Sequence, residues 1–263
     1  MIQFAKAHAY GNDFLYVRSE EVGTGVPLDA LARDLCDRHT GIGADGLILY
    51  EPASDGASMR LFNADGSRSE VSGNGVRGLA ALLLRDDARQ DVSIAIHSEG
   101  GLKHLVRTGR DGSRQTFRAA MGLPADLREV DVTAAGEAVR LAVMTFGNPQ
   151  CVALGPLPDE ARFERLGPAL ERHAIFPERS NVEFAHVEAP GRVRILIWER
   201  GVGPTMSSGT GSCASLIAAA SFGGAVRDAE VIAPGGSQRV EWREDSVYLT
   251  GWAEVLLDGV WLR

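Results

Sequence analysis

The sequence predicts an α+β protein made of two similar halves, and three observations carry that prediction. A strand–glycine loop–helix device occurs twice, as Ser72-Gly73-Asn74-Gly75-Val76-Arg77 and as Ser208-Gly209-Thr210-Gly211-Ser212-Cys213. Each copy follows an apolar run of strand character, Met59-Arg60-Leu61-Phe62 or Val193-Arg194-Ile195-Leu196-Ile197-Trp198, and opens a small-residue apolar segment of helical character, Val76 to Leu84 or Cys213 to Ala220. Helical segments are few, and several strand-like runs precede each, which is the pattern of α+β rather than alternating α/β.

The 263 residues suffice for one large domain or two of about 130. At 44% apolar and 24% charged, the composition is that of an ordinary globule. A net charge of −8 without a basic cluster argues against nucleic acid as a partner. No apolar run reaches the roughly 18 residues of a membrane helix, and Met1-Ile2-Gln3-Phe4 is not a signal-peptide start. The expected location is the cytoplasm. Cys36, Cys151 and Cys213 are odd in number and lack C-x-x-C spacing, so buried thiols are expected rather than a disulfide or a metal site.

In chain order, Gln3 to Ala9 and Phe14 to Arg18 read as strands around the turn Tyr10-Gly11-Asn12-Asp13. Leu28 to His39 has helical spacing, with Pro27 before it and Gly41 after. Leu47 to Tyr50 is a short buried strand. Beyond the first glycine loop, Val92 to His97, Gly101 to Arg107 and Gln115 to Met121 are strand-like. Pro124, Asp126 and their polar neighbours read as a linker, which sets lobes at 1–120 and 121–263, with the last strand free to return to the first lobe. The second half repeats the order: strands at Val139 to Thr145 and Val152 to Leu154, a helix over Phe163 to His173 stopped by Pro177, then strands at Val182 to Val187 and Val193 to Trp198. The tail, Glu230 to Leu262, alternates like a meander around Gly235-Gly236.

Glycine permits close backbone approach, and a helix N-terminus carries unpaired N–H groups and partial positive charge. Gly73-Asn74-Gly75 and Gly209-Thr210-Gly211 therefore suit an anion, and two such N-termini facing each other would share one small anionic ligand. An ordinary strand-to-helix turn has the same composition. Neither loop is a phosphate loop, since no Gly-Lys-Ser/Thr follows, and neither fits a dinucleotide fingerprint. Asn12, Asn63, Asn74, Asn148 and Asn181 stand on turns, where neutral amides can bind carboxylate and ammonium groups or simply form the turn. Glu199-Arg200, at the end of an apolar strand, can hold the two charged ends of an amino acid or form a surface pair.

Taken together, the runs Gly11-Asn12-Asp13-Phe14, Arg38-His39-Thr40-Gly41-Ile42-Gly43-Ala44-Asp45-Gly46, Phe62-Asn63-Ala64-Asp65-Gly66-Ser67, Gly73-Asn74-Gly75, Gly147-Asn148-Pro149, Phe176-Pro177-Glu178-Arg179, Glu199-Arg200-Gly201-Val202-Gly203 and Gly209-Thr210-Gly211 resemble, in order, those of the diaminopimelate epimerase family. The resemblance implies two pseudo-symmetric lobes, each a mixed or antiparallel sheet around a central helix, with the active site in the cleft. It implies a cofactor-independent, metal-free inversion of an amino-acid α-carbon, LL- to meso-diaminopimelate, supplying lysine and peptidoglycan precursors. One thiolate removes the proton while an opposed thiol supplies another. Substrate contacts are implied at Asn12, Asn63, Asn148, Asn181, Glu199 and Arg200, and at the backbone of Gly73, Asn74, Gly209 and Thr210. The only partners implied are a small amino acid and a second copy of the chain as a homodimer.

The departures fall at the chemistry. Ser72 and Ser208 occupy the two catalytic cysteine positions, Gln150 stands where the family usually has His, Pro204 replaces an acidic residue, and Gly46 stands where some members have Gln. A serine hydroxyl is roughly 5 pK units weaker than a thiol, about 7 kcal/mol per alkoxide formed, so it needs a neighbouring base. Glu199 is the remaining candidate for that base and joins Ser72 and Ser208 as a catalytic residue in this reading. Two alternatives stand beside it. One is an amino-acid-binding homologue that kept the cleft and lost its proton carriers. The other is a one-base dehydratase or isomerase, since the related proline racemase group includes members with Ser or Thr at one of the paired positions.

Overall fold

The computed structural model describes residues 1–70 and 72–262, and the chain divides into two compact units. One runs from Met1 to Ala119 and includes the stretch from Gly251 onward; the other is Ala120–Thr250. The first unit contains β1 (Ile2–Ala9), β2 (Asn12–Arg18), α1 (Leu28–Cys36), β3 (Gly46–Ala53), β4 (Gly56–Asn63), β5 (Arg68–Ser69), α2 (Gly73–Leu83), β6 (Ser93–Ser98), β7 (Gly101–Asp111) and β8 (Arg114–Ala120). The second contains β9 (Ala125–Ala134), β10 (Glu137–Thr145), β11 (Pro149–Leu154), α3 (Glu160–Glu171), β12 (Asn181–Ala189), β13 (Arg192–Glu199), β14 (Gly203–Thr205), α4 (Gly209–Phe222), β15 (Asp228–Ala233) and β16 (Gly236–Trp242). The last strand, β17 (Val247–Trp261), begins in the second unit and ends in the first.

The strand pairings of the two units match step for step. In the first, β1–β2 is antiparallel, β2–β3 parallel, β3–β4 and β4–β5 antiparallel, β4–β6 parallel and β6–β7 antiparallel. In the second, β10–β11, β11–β12, β12–β13, β13–β14, β13–β15 and β15–β16 repeat that series of directions. The parallel pairs β2–β3 and β11–β12 need a crossover, and α1 and α3 supply it. Tyr10 and Gly11 form the two-residue β1–β2 turn with φ of 56° and 87°, the positive values that match hairpin twist.

Within the second unit α4 is apolar on all sides, and Cys213, Ala214, Leu216, Ile217, Ala218 and Ala219 are buried with Met144, Val152, Ile195, Ile197, Val231, Val240 and Leu249. A helix apolar all round has to lie inside a core, so the strands pack against it from several directions. In the first unit Val76, Leu79, Ala80, Ala81 and Leu82 of α2 are buried in the same way.

Several boundaries differ from the sequence reading. The helix expected over Phe163 to His173 spans Glu160–Glu171, because the Asp159 side chain caps it by accepting from the Arg162 N–H. The helices after the glycine loops start at Gly73 and Gly209 rather than Val76 and Cys213, because Ser72 and Ser208 cap them and draw the glycines into the first turn. The first helix ends at Cys36 rather than His39, since the Asp37 carboxylate accepts from the N–H groups of His39 (2.8 Å) and Thr40 (2.6 Å) and bends the chain into a turn. The stretch read as a linker at Pro124 and Asp126 is mostly strand. Ala125-Asp126-Leu127-Arg128 opens β9, whose alternation is masked by its polar outer face but which pairs along β10 from Ala134 back to Ala125.

Candidate functional site

The two glycine loops place a serine hydroxyl at the head of a helix in each unit. Ser72 Oγ accepts from the N–H of Gly75 at 3.1 Å, and Ser208 Oγ accepts from the N–H of Gly211 at 3.1 Å. Serine is among the best N-cap residues for this reason. Beyond each cap, the first turn directs N–H groups that have no acceptor within the helix.

In the first unit Asn12, at the start of β2, and Asn74, in the first turn of α2, are brought together: Asn74 Nδ2 donates to Asn12 Oδ1 at 3.1 Å. Asn12 Nδ2 in turn donates to Asp45 Oδ2 at 2.8 Å. Arg38 bridges Asp45 (2.9 Å) and the buried Asp13 (2.7 Å), and Lys6 approaches Asp13 at 2.9 Å. Burial opposes ionisation of Asp13, but hydrogen bonds from Arg38 and Lys6 outweigh it and hold the carboxyl below the usual carboxylate range. Behind Asn74 lies Arg77, 2% exposed, which donates to Asn74 Oδ1 and stacks over the Tyr10 ring at 5.7 Å. Asn63, at the end of β4, donates instead to Ser67 Oγ at 2.9 Å and forms a turn with it.

In the second unit one sheet face carries two of the expected residues, Asn181 and Glu199. Asn181 faces Gln150 across the parallel pair, and Glu183, Ile197 and Glu199 share that face by the alternation of paired strands. The backbone N–H of Arg200 donates to Asn181 Oδ1 at 2.9 Å, leaving Asn181 Nδ2 aimed at the Gln150 amide 3.2 Å away. That orients Gln150 with its oxygen toward Asn181 and toward Thr210 Oγ1 (3.2 Å), and its nitrogen toward both oxygens of Glu183 (3.1 and 3.2 Å). Asn148 lies 2.5 Å from the same amide head. Asn148, Asn181 and Thr210 therefore meet at Gln150. The Arg200 side chain points elsewhere and donates to the Glu178 carbonyl at 3.1 Å.

Two carboxyl groups here were not singled out in the sequence. Glu183 is completely buried; burial, and then the nearby Glu199, push its carboxyl well above the usual range. Its signal was a charged residue within a buried apolar run, two positions from Asn181 on the same strand face. Glu171, at the end of α3 and 2% exposed, accepts from the Gly201 N–H (3.0 Å) and Trp198 Nε1 (3.2 Å), and so fixes the loop that follows Glu199. Cys36, Cys151 and Cys213 are free and buried, and burial lifts the Cys36 thiol to about 12 and raises Cys151 as well. Thiols held in that form are poor proton acceptors. Among the described residues there is no cluster of His, Cys, Asp and Glu fit for a metal ion, and no helix is long and apolar enough to cross a membrane.

The fold is shared with solved racemases and epimerases. A probable proline racemase from Agrobacterium radiobacter K84 superposes with a TM-score of 0.76 at 17% identity, over 100% of this chain and 93% of that one. A hydroxyproline epimerase from Agrobacterium vitis gives 0.74 at 16% identity, over 98% and 91%. At sequence level the family model described as diaminopimelate epimerase matches residues 4–125 and 142–256. The diaminopimelate epimerase of Desulforudis audaxviator is 40% identical over the full length of both chains, and that of Nostoc punctiforme 38% over 98% of this chain and 99% of its own. The chain belongs to the diaminopimelate epimerase family.

Proposed function

We propose that this protein is a cofactor-independent amino-acid epimerase that interconverts LL- and meso-diaminopimelate, with Ser72 and Ser208 as its two proton-carrying positions. The observation that carries the reading is the joined amide cluster of Asn148, Gln150, Asn181 and Thr210 beside a capped, glycine-led helix N-terminus. Such a cluster offers neutral donors and acceptors in fixed orientations, suited to the polar ends of a free amino acid. The helix N-termini at Gly73-Asn74 and Gly209-Thr210 are the carboxylate-binding elements, since their N–H groups and dipoles favour an anion. Asn12, Asn63 and Asn181 contribute side-chain contacts, and Glu199 with Arg200 closes the second unit's part. We place the reaction in the cytoplasm, in the supply of lysine and peptidoglycan precursors, with a homodimer as the working form.

Inversion requires a base on one face of the α-carbon and an acid on the other. With serine in both positions the acid role is straightforward, but the base role requires that a neighbour take the hydroxyl proton. The test is proton exchange in deuterated water: incubation with LL- or meso-diaminopimelate is expected to replace the α-hydrogen by deuterium. No exchange above the protein-free rate, with binding intact, would overturn the epimerase reading. A second reading, an amino-acid-binding homologue without turnover, is favoured by one observation: both serine oxygens are already engaged as helix caps. Binding without exchange is its signature.

A further inference from the structure

The matched halves show which parts of the site the fold requires and which it does not. A β-carbon added at Gly75 would meet Ile48 Cδ1 at 2.7 Å; one added at Gly211 would meet Glu183 Oε1 at 2.6 Å. Ile48 faces Leu61 across β3–β4, and Glu183 faces Ile197 across β12–β13, so the two side chains hold the same place in the repeated topology. An isoleucine methyl therefore supports the first glycine loop, and a buried carboxyl supports the second. Packing alone is satisfied by the hydrocarbon, and burying a carboxyl costs stability that packing does not return.

The carboxyl also lies near Ser208. The position of a Gly211 β-carbon is 2.6 Å from Glu183 Oε1 and 3.1 Å from Ser208 Oγ, so the two oxygens border the same small space at the head of α4. The Gln150 amide lies 3.1 and 3.2 Å from the two oxygens of Glu183 and holds the carboxyl in place. The titratable groups acting on it are Glu199 from β13 and Cys151 from β11; α4 presents Ser208, Thr210 and Gly211, none of which is an acid or base in the ordinary range.

We infer that Glu183 is the group through which Ser208 exchanges its proton, an inference that rests on the epimerase reading. When the α-carbanion takes the Ser208 hydroxyl proton, the serine oxygen takes the proton of the Glu183 carboxyl, which becomes a carboxylate. In the reverse direction the substrate α-proton passes to the Ser208 oxygen as the hydroxyl proton passes to the Glu183 carboxylate. Two O–H bonds and one C–H bond account for every proton, and no other reactant enters. Ser208 touches the substrate; Glu183 acts through it as a positioning and proton-holding residue.

The experiment compares wild type, Glu183→Gln and Glu183→Asp by α-hydrogen exchange in deuterated water across a pH series, with diaminopimelate binding measured in parallel. Glu183→Gln is expected to bind diaminopimelate, lose at least about 100-fold in exchange and lose the pH inflection of the wild type. Glu183→Asp is expected to retain the inflection at a reduced rate. Exchange in both variants at the wild-type rate, or slowed with the inflection unmoved in Glu183→Gln, would show a structural role and overturn the inference alone. Absence of exchange in the wild type would overturn the epimerase reading and the relay with it. Independently of turnover and of whether Glu183→Gln folds, the infrared spectrum of the wild type labelled at glutamate is expected to show a protonated carboxyl band at neutral pH. Its absence would overturn the inference.

Discussion

At Ser72 and Ser208 the proposed function would give one oxygen atom two competing uses. As a cap it accepts the Gly75 or Gly211 N–H; in the proposed reaction it would also release or accept a proton facing the other way. Sulfur is a weak acceptor and a poor cap, so Ser72→Cys with Ser208→Cys is expected to cost about 1 kcal/mol per helix. The same double variant is expected to speed α-hydrogen exchange, because a thiol at a helix N-terminus ionises near neutral pH. Thermal unfolding and the exchange assay should therefore move in opposite directions, and a stabler variant would contradict the capping role. Two buried carboxyls make opposite demands on pH. Asp13 has its folded-state pKa depressed, so its contribution is present above the unfolded value of about 3.9 and is lost as pH falls through the lower folded value. Glu183 has its folded-state pKa raised, so its contribution is present below the unfolded value of about 4.3 and is lost as pH rises through the folded value. Urea midpoints against pH should show Asp13→Asn flattening the acid limb and Glu183→Gln flattening the slope above it.

At the scale of elements, the glycines do more than free the backbone. Gly78 of α2 lies where a β-carbon would stand 2.0 Å from the hydroxyl of the fully buried Tyr16, and Tyr16 itself donates to the Gly75 carbonyl at 3.0 Å. Gly78→Ala is expected to push α2 off β2, break that bond and cost roughly 1–3 kcal/mol in a denaturant titration. An unchanged midpoint would mean that Tyr16 has room to move. These contacts also explain what could be read beforehand. The glycine loops, the apolar helices behind them and the asparagines were legible because each carries a local signature of turn, period or motif. The β9 strand was not, because its outer face is as polar as a linker. Glu183 was passed over for a different reason: its meaning depends on Gln150, Glu199 and Gly211, which are distant in sequence and meet only across three paired strands and a helix end. Asn63 could be named as a site residue from its motif, but its bond to Ser67 could not.

At the scale of the molecule, β17 is the element that serves both units. Its first residues pair with β16 from Val247 to Thr250, and its later ones pair with β1 from Glu254 to Trp261. A chain ending after Thr250 is expected to lose amide-exchange protection along β1 while the α4 core keeps its own. Equal loss in both units would show instead that they unfold as one. The same strand sets a schedule for the growing polypeptide. Domains made first are generally folded first during synthesis. Here the opening strand of the unit begun at Met1 pairs with β2 on one edge, but its other edge lacks a partner until the ribosome has translated past Glu254, by which time every strand of the second unit has been made. The first unit to be started is the last that can be finished, and one edge of β1 waits through most of translation unpaired, the kind of edge that invites wrong partners.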